Sequence, residues 1–353
     1  MKAIYRVIGL MSGTSLDGLD VAQCTFELME HRWNYTIEQA TTFPYSAEWK
    51  KKLADAHNLS GIELMLLHNE YGKLLGSSVC QFLNNKTSGI DFIASHGHTV
   101  FHQPETGLTL QIGNGAVIAA IAGVTTIADF RSLDVALGGQ GAPLVPIGDE
   151  LLFSEFDFCL NLGGFANISF KNNADRIAFD VCPVNILINY LVKERNLSYD
   201  PEGSIARKGK ISSGLLHDLN DLEFYQQSGP KSLGREWVWK SVLPVIFKYD
   251  LPLEDTLRTF YQHIVVKTGE IIQKKPQRTV LITGGGAHNQ FLIELFKEIP
   301  GITIVVPPND IVNFKEALIF SFLGVLRLRN EPNCLRSVTG AKINNTGGVI
   351  YQI

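Results

Sequence analysis

The chain has 353 residues, 45% of them hydrophobic and 19% charged, the balance of a folded chain long enough for two domains with separate cores. Its formal net charge of −4 implies no broad basic surface, which argues against nucleic acid or an anionic membrane as a partner. Cys24, Cys80, Cys159, Cys182 and Cys334 are far apart and form no CxxC pair, so their spacing fits reduced thiols in a cytoplasmic protein and neither a disulfide framework nor a zinc site.

Apolar stretches are far shorter than a membrane span, and the first residues run into a strand without a signal-peptide pattern. Residues 3–9, 21–29 and 33–43 are β-rich with short loops between them, which predicts a mixed sheet with an antiparallel edge. Helical patterns cover 46–58 and 62–84. A buried strand at 91–95 precedes a His-rich polar turn, and a strand at 108–112 leads to a small-residue helix at 114–122 and a strand at 124–128. A second set follows: strands at 156–161 and 176–180, a helix at 183–195 with Pro183 in its first turn, and a Gly/Ser-rich stretch of loops and short helices at 198–230. A long amphipathic helix at 253–273, strands at 279–283 and 302–306, helices from Asn289 and at 314–329, and a short strand in the tail complete the reading.

Three glycine-rich turns end apolar strands. Gly9 to Gly18 contains Ser12-Gly13-Thr14-Ser15 and then Asp17-Gly18; a strand ending in such residues aims backbone N–H groups and hydroxyls at one spot, as a polyphosphate requires. Gly163-Gly164, flanked by Asn161 and Asn167, reads equally as a second phosphate clamp or a tight hairpin turn. Gly284-Gly285-Gly286 offers a shelf free of side chains for a base or ribose, or a plain strand-to-helix connection. Their recurrence predicts two α/β domains with glycine turns lining a cleft.

Four side-chain groups carry candidate chemistry. Asp180 ends a strand beside a helix start, the place of a general base or of a helix N-cap. Arg131 is suited to fork onto an anion or to pair with Asp134. His96, His98 and His102 lack a following carboxylate or cysteine at ligand spacing, so no metal site is expected. The cluster Lys231-Ser232-Leu233-Gly234-Arg235-Glu236 reads as a substrate loop or a structured turn. Cys182, next to Asp180, is the one cysteine not assigned to a core.

Together GLMSGTSLDGLD, SHGHTVFH, LQIGNGAVIA, ADFRSLDVALGGQGAPLVP, LNLGGFANISF, KSLGREW, LITGGGAHNQFL and SVTGA, in this order over nearly the whole chain, resemble the anhydro-N-acetylmuramic acid kinase family of the sugar kinase, Hsp70 and actin superfamily. The resemblance implies an α/β fold of two ribonuclease H-like domains, residues 1–128 plus 315–353 and residues 129–314, with ATP in the cleft between them. It implies that Gly9, Ser12, Gly13, Thr14, Ser15 and Asp17 on one side, and Asn161, Gly163, Gly164 and Asn167 on the other, hold the phosphates, that Gly284, Gly285 and Gly286 shelter the adenosine, and that Mg2+ bridges the β- and γ-phosphates.

The family reaction opens a 1,6-anhydro sugar with water at C1 while O6 takes the γ-phosphoryl group, giving N-acetylmuramic acid 6-phosphate in cell-wall recycling. Asp180 matches the base that activates the water, and Arg131, Glu316 and His96-Gly97-His98-Thr99 match residues beside the sugar. A homodimer is implied, with a small sugar as the other partner. The family's FDTGPGN stands here as Phe179-Asp180-Val181-Cys182-Pro183-Val184-Asn185, which predicts a tighter, more apolar sugar pocket at Cys182 and Val184.

Overall fold

The computed structural model describes residues 2–13, 16–227, 231–275 and 278–353. These divide into two compact units, Met1–Phe153 with Phe314–Ile353, and Ser154–Asn313. The first unit starts with an antiparallel meander of β1 (Ile4–Ser12), β2 (Gly18–Met29) and β3 (Arg32–Pro44). β1 runs to Ser12, three residues past the expected end, because Leu10, Met11 and Ser12 stay in register with Val21, Asp20 and Leu19. Ser12 is therefore the last residue of a strand. Helix α1 (Ala47–Asp55) follows, then α2 (Gly61–Phe82), whose start is set by a capping box between Ser60 and Glu63.

Next come β4 (Phe92–Ser95), the hairpin β5 (His98–Gln103) and β6 (Leu108–Ile112), helix α3 (Gly115–Ala122) and β7 (Thr126–Ala128). Short helices α4 (Ser132–Ala136) and α5 (Pro146–Leu152) end this part of the unit. β5 begins where only a polar turn was expected: His98, Thr99 and Phe101 pair with Ile112, Gln111 and Leu110, a partnership invisible to local periodicity.

The second unit repeats the plan. β8 (Phe158–Leu162), β9 (Phe165–Asn172) and β10 (Asp175–Pro183) form a meander. Helices α6 (Asn185–Leu191), α7 (Ser213–Asn220) and α8 (Leu253–Ile272) lead to β11 (Thr279–Thr283), α9 (Gln290–Lys297) and β12 (Thr303–Val305). Helix α10 (Asn309–Arg329) returns the chain to the first unit with a non-helical residue at Phe314, and β13 (Val349–Tyr351) closes the first sheet.

The sheet orders are β13-β7-β4-β1-β2-β3 and β10-β9-β8-β11-β12. In each, the third, second and first strands of an antiparallel meander are followed by two parallel strands reached through helices. Both units thus carry the ribonuclease H-like arrangement expected for this α/β chain. No helix among the described residues is long and apolar enough to cross a membrane.

Two expectations need revision. Residues 129–153 belong with the first unit, because their polar side chains are buried against its C-terminal segment. Lys315 and Asp149 form a buried ion pair at 2.6 Å. The fully buried Asp134 accepts hydrogen bonds from Asn345 Nδ2 (2.7 Å), Thr339 Oγ1 (2.9 Å) and Cys334 Sγ (2.9 Å). Pro183 is the last residue of β10, opposite Phe165, and the following helix starts only at Asn185.

Gly9 lies inside β1, paired with Ala22 and Ala94, and a Cβ there would meet the Ala317 carbonyl oxygen at 2.1 Å. Its missing side chain admits α10 against the sheet, so packing by itself requires glycine here. Gly9→Val should therefore lower stability by about 1–3 kcal/mol or more through overpacking, read as a drop in Tm by calorimetry.

Candidate active site

In the second unit the register builds a polar row across adjacent strands. Asn161 on β8 faces Asn167 on β9, and Asn167 faces Asp180 on β10. Asn167 Nδ2 donates to Asp180 Oδ1, and Asn161 Nδ2 donates to Asn167 Oδ1 at 3.5 Å. Asp180 Oδ2 accepts from the Leu233 amide at 2.7 Å and from Ser232 Oγ at 3.2 Å, while the Asp180 amide donates to the Lys231 carbonyl at 2.9 Å. Three donors leave about one of a carboxylate's four acceptor positions open, on Oδ1. Burial pushes the Asp180 carboxyl above the ordinary Asp range, with the three hydrogen bonds opposing that rise.

The alternative N-cap role is absent, since the next helix begins five residues on and its cap position is Val184. Cys182 and Val184 are fully buried in the core of this unit. Cys182 follows the bulge after Asp180, and Val184 lies just past the end of β10.

Space decides which glycines the fold itself needs. A Cβ on Gly284 would meet Asn161 Oδ1 at 2.5 Å, and one on Gly286 would meet Leu162 Cβ at 2.6 Å, so both are demanded by packing on β8. Gly163, Gly164 and Gly285 differ: the nearest atoms would lie at 3.3, 3.9 and 3.7 Å. A Cβ on Gly164 or Gly285 would make only ordinary contacts, and one on Gly163 would press on the Asn161 side chain, so packing demands glycine less here than at Gly284 and Gly286. The carbonyls of Gly163 and Gly164 accept from the amides of Asn185, Val184 and Ile186, which ties the turn to the start of α6.

In the first unit, Ser12 is buried at the end of β1 in a chain of hydroxyls. Tyr45 donates to Ser12 Oγ at 2.8 Å and meets the Tyr71 hydroxyl at 2.6 Å, and Ser12 Oγ lies 3.0 Å from His98 Nδ1. Burial pushes His98 down to about 4. Nearby, His96 Nδ1–H donates to the Gly97 carbonyl at 2.9 Å, leaving Nε2 to accept from Arg131 Nη2 at 2.9 Å and Nε at 3.2 Å. Burial first, and then the Arg131 charge, holds His96 well below the ordinary histidine value, so it is neutral. Arg131 also donates to the Gly141 carbonyl at 2.6 Å.

Arg131 thus spends its donors on His96 and Gly141, while Asp134 Oδ1 serves the tail and Oδ2 accepts from the Gly141 amide at 2.8 Å. Burial lowers Arg131 to about 10, an effect that Glu316 opposes. Glu316 keeps an exposed face, yet protein packed around its carboxyl raises it, with Arg131 lowering and Asp20 raising it further.

Gly97 has φ +74°, and a Cβ there would meet the Ile112 carbonyl at 2.5 Å. Thr99 Oγ1 accepts from Gln111 at 3.4 Å. Gly13 accepts from the Leu16 amide, and Asp17 is exposed beside Asp20, whose carboxyl is raised by burial and by Asp17. Thr14 and Ser15 lie outside the described residues. His102 turns to Thr109 and takes no part in the cluster.

The model of the family described as anhydro-N-acetylmuramic acid kinase matches residues 5–353. The chain belongs to this family. Anhydro-N-acetylmuramic acid kinase of Vibrio cholerae serotype O1 is 35% identical, covering 98% of this chain and 97% of the relative. The enzyme of the same name from Hydrogenovibrio crunogenus is 35% identical over 98% of this chain and 97% of its own length, and that of Clostridioides difficile is 36% identical over 95% of each.

Site groups not anticipated from sequence are Tyr45, Tyr71, and the parts of Ser232 and Leu233 in holding Asp180. The polar cluster at 231–236 was a signal for the last two; the tyrosines carried none, because their partners are 26 to 33 residues away. Arg131→Met removes one of the two main causes that depress His96. Its ring titration by NMR should move upward while staying below 6.5, because burial, the larger cause, remains.

Proposed function

We propose that this protein is an ATP-dependent kinase acting on 1,6-anhydro-N-acetylmuramic acid. Water adds at C1, the C1–O6 bond breaks, and O6 forms a bond to the γ-phosphorus of ATP as ADP leaves. The product is N-acetylmuramic acid 6-phosphate, an intermediate of peptidoglycan recycling. The observation that carries this reading is Asp180, a carboxylate fixed by three donors with one acceptor position left on Oδ1. A base must be held still and kept partly desolvated so that it takes a proton efficiently, and burial has raised its pKa. Oδ1 would accept the proton of the attacking water.

In the second unit, the open backbone at Gly163 and Gly164, with Asn161 and Asn167 beside it, suits phosphate, and Gly285 suits the adenosine. In the first unit, Ser12, Gly13, Thr14, Ser15 and Asp17 would meet phosphate, while His96, Gly97, Thr99, Arg131 and Glu316 would meet the sugar. Neutral His96 leaves the Arg131 charge intact toward an anionic substrate. Mg2+ bound with the phosphates would neutralise charge that develops during transfer. The mutual repulsion of Asp17 and Asp20 fits such an ion, since Mg2+ takes one or two carboxylates together with phosphate oxygens.

The test is ADP release with 1,6-anhydro-N-acetylmuramic acid in H2(18)O, with the product examined by mass spectrometry. One 18O at C1 and a phosphate on O6 are expected; a phosphorylated sugar that retains its anhydro ring would refute the hydrolytic step. Asp180→Asn should lower kcat by a factor of roughly 10²–10⁴ with ATP affinity kept. Because the base works deprotonated, the wild-type rate should rise with pH along a limb above the ordinary Asp value of 3.8. No limb from His96 or His98 should appear near pH 6.5, since both are depressed.

A further inference from the structure

On the face of β10 opposite Asp180, Phe179 and Val181 help to line a cavity of about 210 Å³, together with Tyr225, Lys231, Lys267, Glu270 and Lys274. Three ammonium groups and one carboxylate converge there. The volume is below that of drug-sized pockets, so it suits a small ligand.

The lysines are placed by the fold. Lys267 is almost enclosed, lies 3.1 Å from Glu270 and sits over the Tyr225 ring at 5.1 Å. Lys231 donates to the carbonyls of Phe224 (2.7 Å) and Gln227 (3.2 Å), over the Phe224 ring at 4.2 Å. Two of its three protons are thereby committed. Lys274 is exposed at the end of the same wall. The rings are themselves braced, Tyr225 by its hydroxyl on His263 Nε2 at 2.8 Å and Phe224 by Trp237 at 5.2 Å.

Like charges gathered around a partly desolvated cavity repel one another, and Glu270 offsets only one of them. Burial and the charges of Lys267 and Lys274 all push Lys231 below the ordinary lysine value. An anion entering the cavity relieves that repulsion. Phosphate, with several charged acceptor oxygens, matches three separated ammonium donors better than a single carboxylate does.

The cavity is also joined to the candidate base. Lys231 is the first residue of the segment whose Ser232 hydroxyl and Leu233 amide donate to Asp180, and whose Lys231 carbonyl accepts from the Asp180 amide. We propose that this cavity is a second binding site for a small phosphate-bearing anion, and that its occupancy stiffens the 231–233 segment holding Asp180. The consequence for catalysis rests on the proposed kinase reading; the binding itself does not.

Calorimetry with inorganic pyrophosphate tests the site, using full-length protein whose nucleotide site is saturated with a non-hydrolysable ATP analogue. One pyrophosphate should bind the wild type, and its Kd should weaken about tenfold or more in the Lys267→Gln/Lys274→Gln double variant, the effect of losing charge-assisted hydrogen bonds. Lys274→Gln alone, at an exposed position, should show a smaller weakening without any question of folding. Repeating the titration with glucose 6-phosphate distinguishes a sugar phosphate from a free polyphosphate as the preferred source.

Hydrogen–deuterium exchange of the peptide containing residues 231–233 should slow with pyrophosphate in the wild type and stay unchanged in the double variant. Absence of pyrophosphate binding once nucleotide is present, or the same Kd in wild type and both variants, would overturn the site. Unchanged exchange on binding would overturn the coupling to Asp180. A protein that binds pyrophosphate here yet phosphorylates no anhydro sugar would refute the kinase reading alone.

Discussion

The polar row Asp180–Asn167–Asn161 is the constraint on which the second unit's site depends. Each member stands on a different strand, and the antiparallel register alone brings the three side chains to one face. A slip of one residue would turn the row to the opposite side of the sheet. The register is held by what lies on that opposite side: Leu160, Ile168 and Val181 are buried in the core, so a shift would expose them. Hydrophobic burial, which is nondirectional, thus fixes a directional array of hydrogen bonds. The bulge after Asp180 and the 231–233 segment then close the carboxylate in, leaving one acceptor position on Oδ1.

The first unit solves a related problem with a half-buried cation. Arg131 leaves water behind, and the fold compensates with a neutral His96 acceptor, the Gly141 carbonyl and the nearby Glu316. His96 can accept only because its other nitrogen donates to Gly97 and because Arg131 itself holds the ring unprotonated. Removing a single member would leave a buried polar group without its partner, which is more damaging than the net worth of one hydrogen bond. Close backbone contact frames this cluster: Gly9 lets α10, the helix that carries Glu316, approach β1.

Much of this was legible along the chain. β-rich runs located the three strands of the first meander and two of the three in the second, and the strands at 91–95 and 279–283 were plain as short apolar runs ending in polar or glycine turns. Asp180, Arg131 and the Gly163-Gly164 turn stood out because charged or side-chain-free residues in or beside short apolar strands are unusual. The hairpin strand at His98 escaped notice because its pairing partner, and not its own periodicity, makes it a strand. The place of residues 129–153 in the first unit is not legible locally, because the groups that bind them, Thr339, Asn345 and Lys315, lie roughly 170 to 210 residues away in sequence.

Composition, strand periodicity and ordered motifs sufficed to determine the fold class and the family of this chain, because those properties are written in short segments. The tertiary structure alone decided what individual residues do. It separated Gly284 and Gly286, where a side chain would collide with β8, from Gly164 and Gly285, where a Cβ would make only ordinary contacts. It placed Cys182 and Val184 in the core and gave Asp180 its three donors. The physical reason is that space, burial and hydrogen-bond partners are properties of neighbours in three dimensions, and most of those neighbours are distant along the chain.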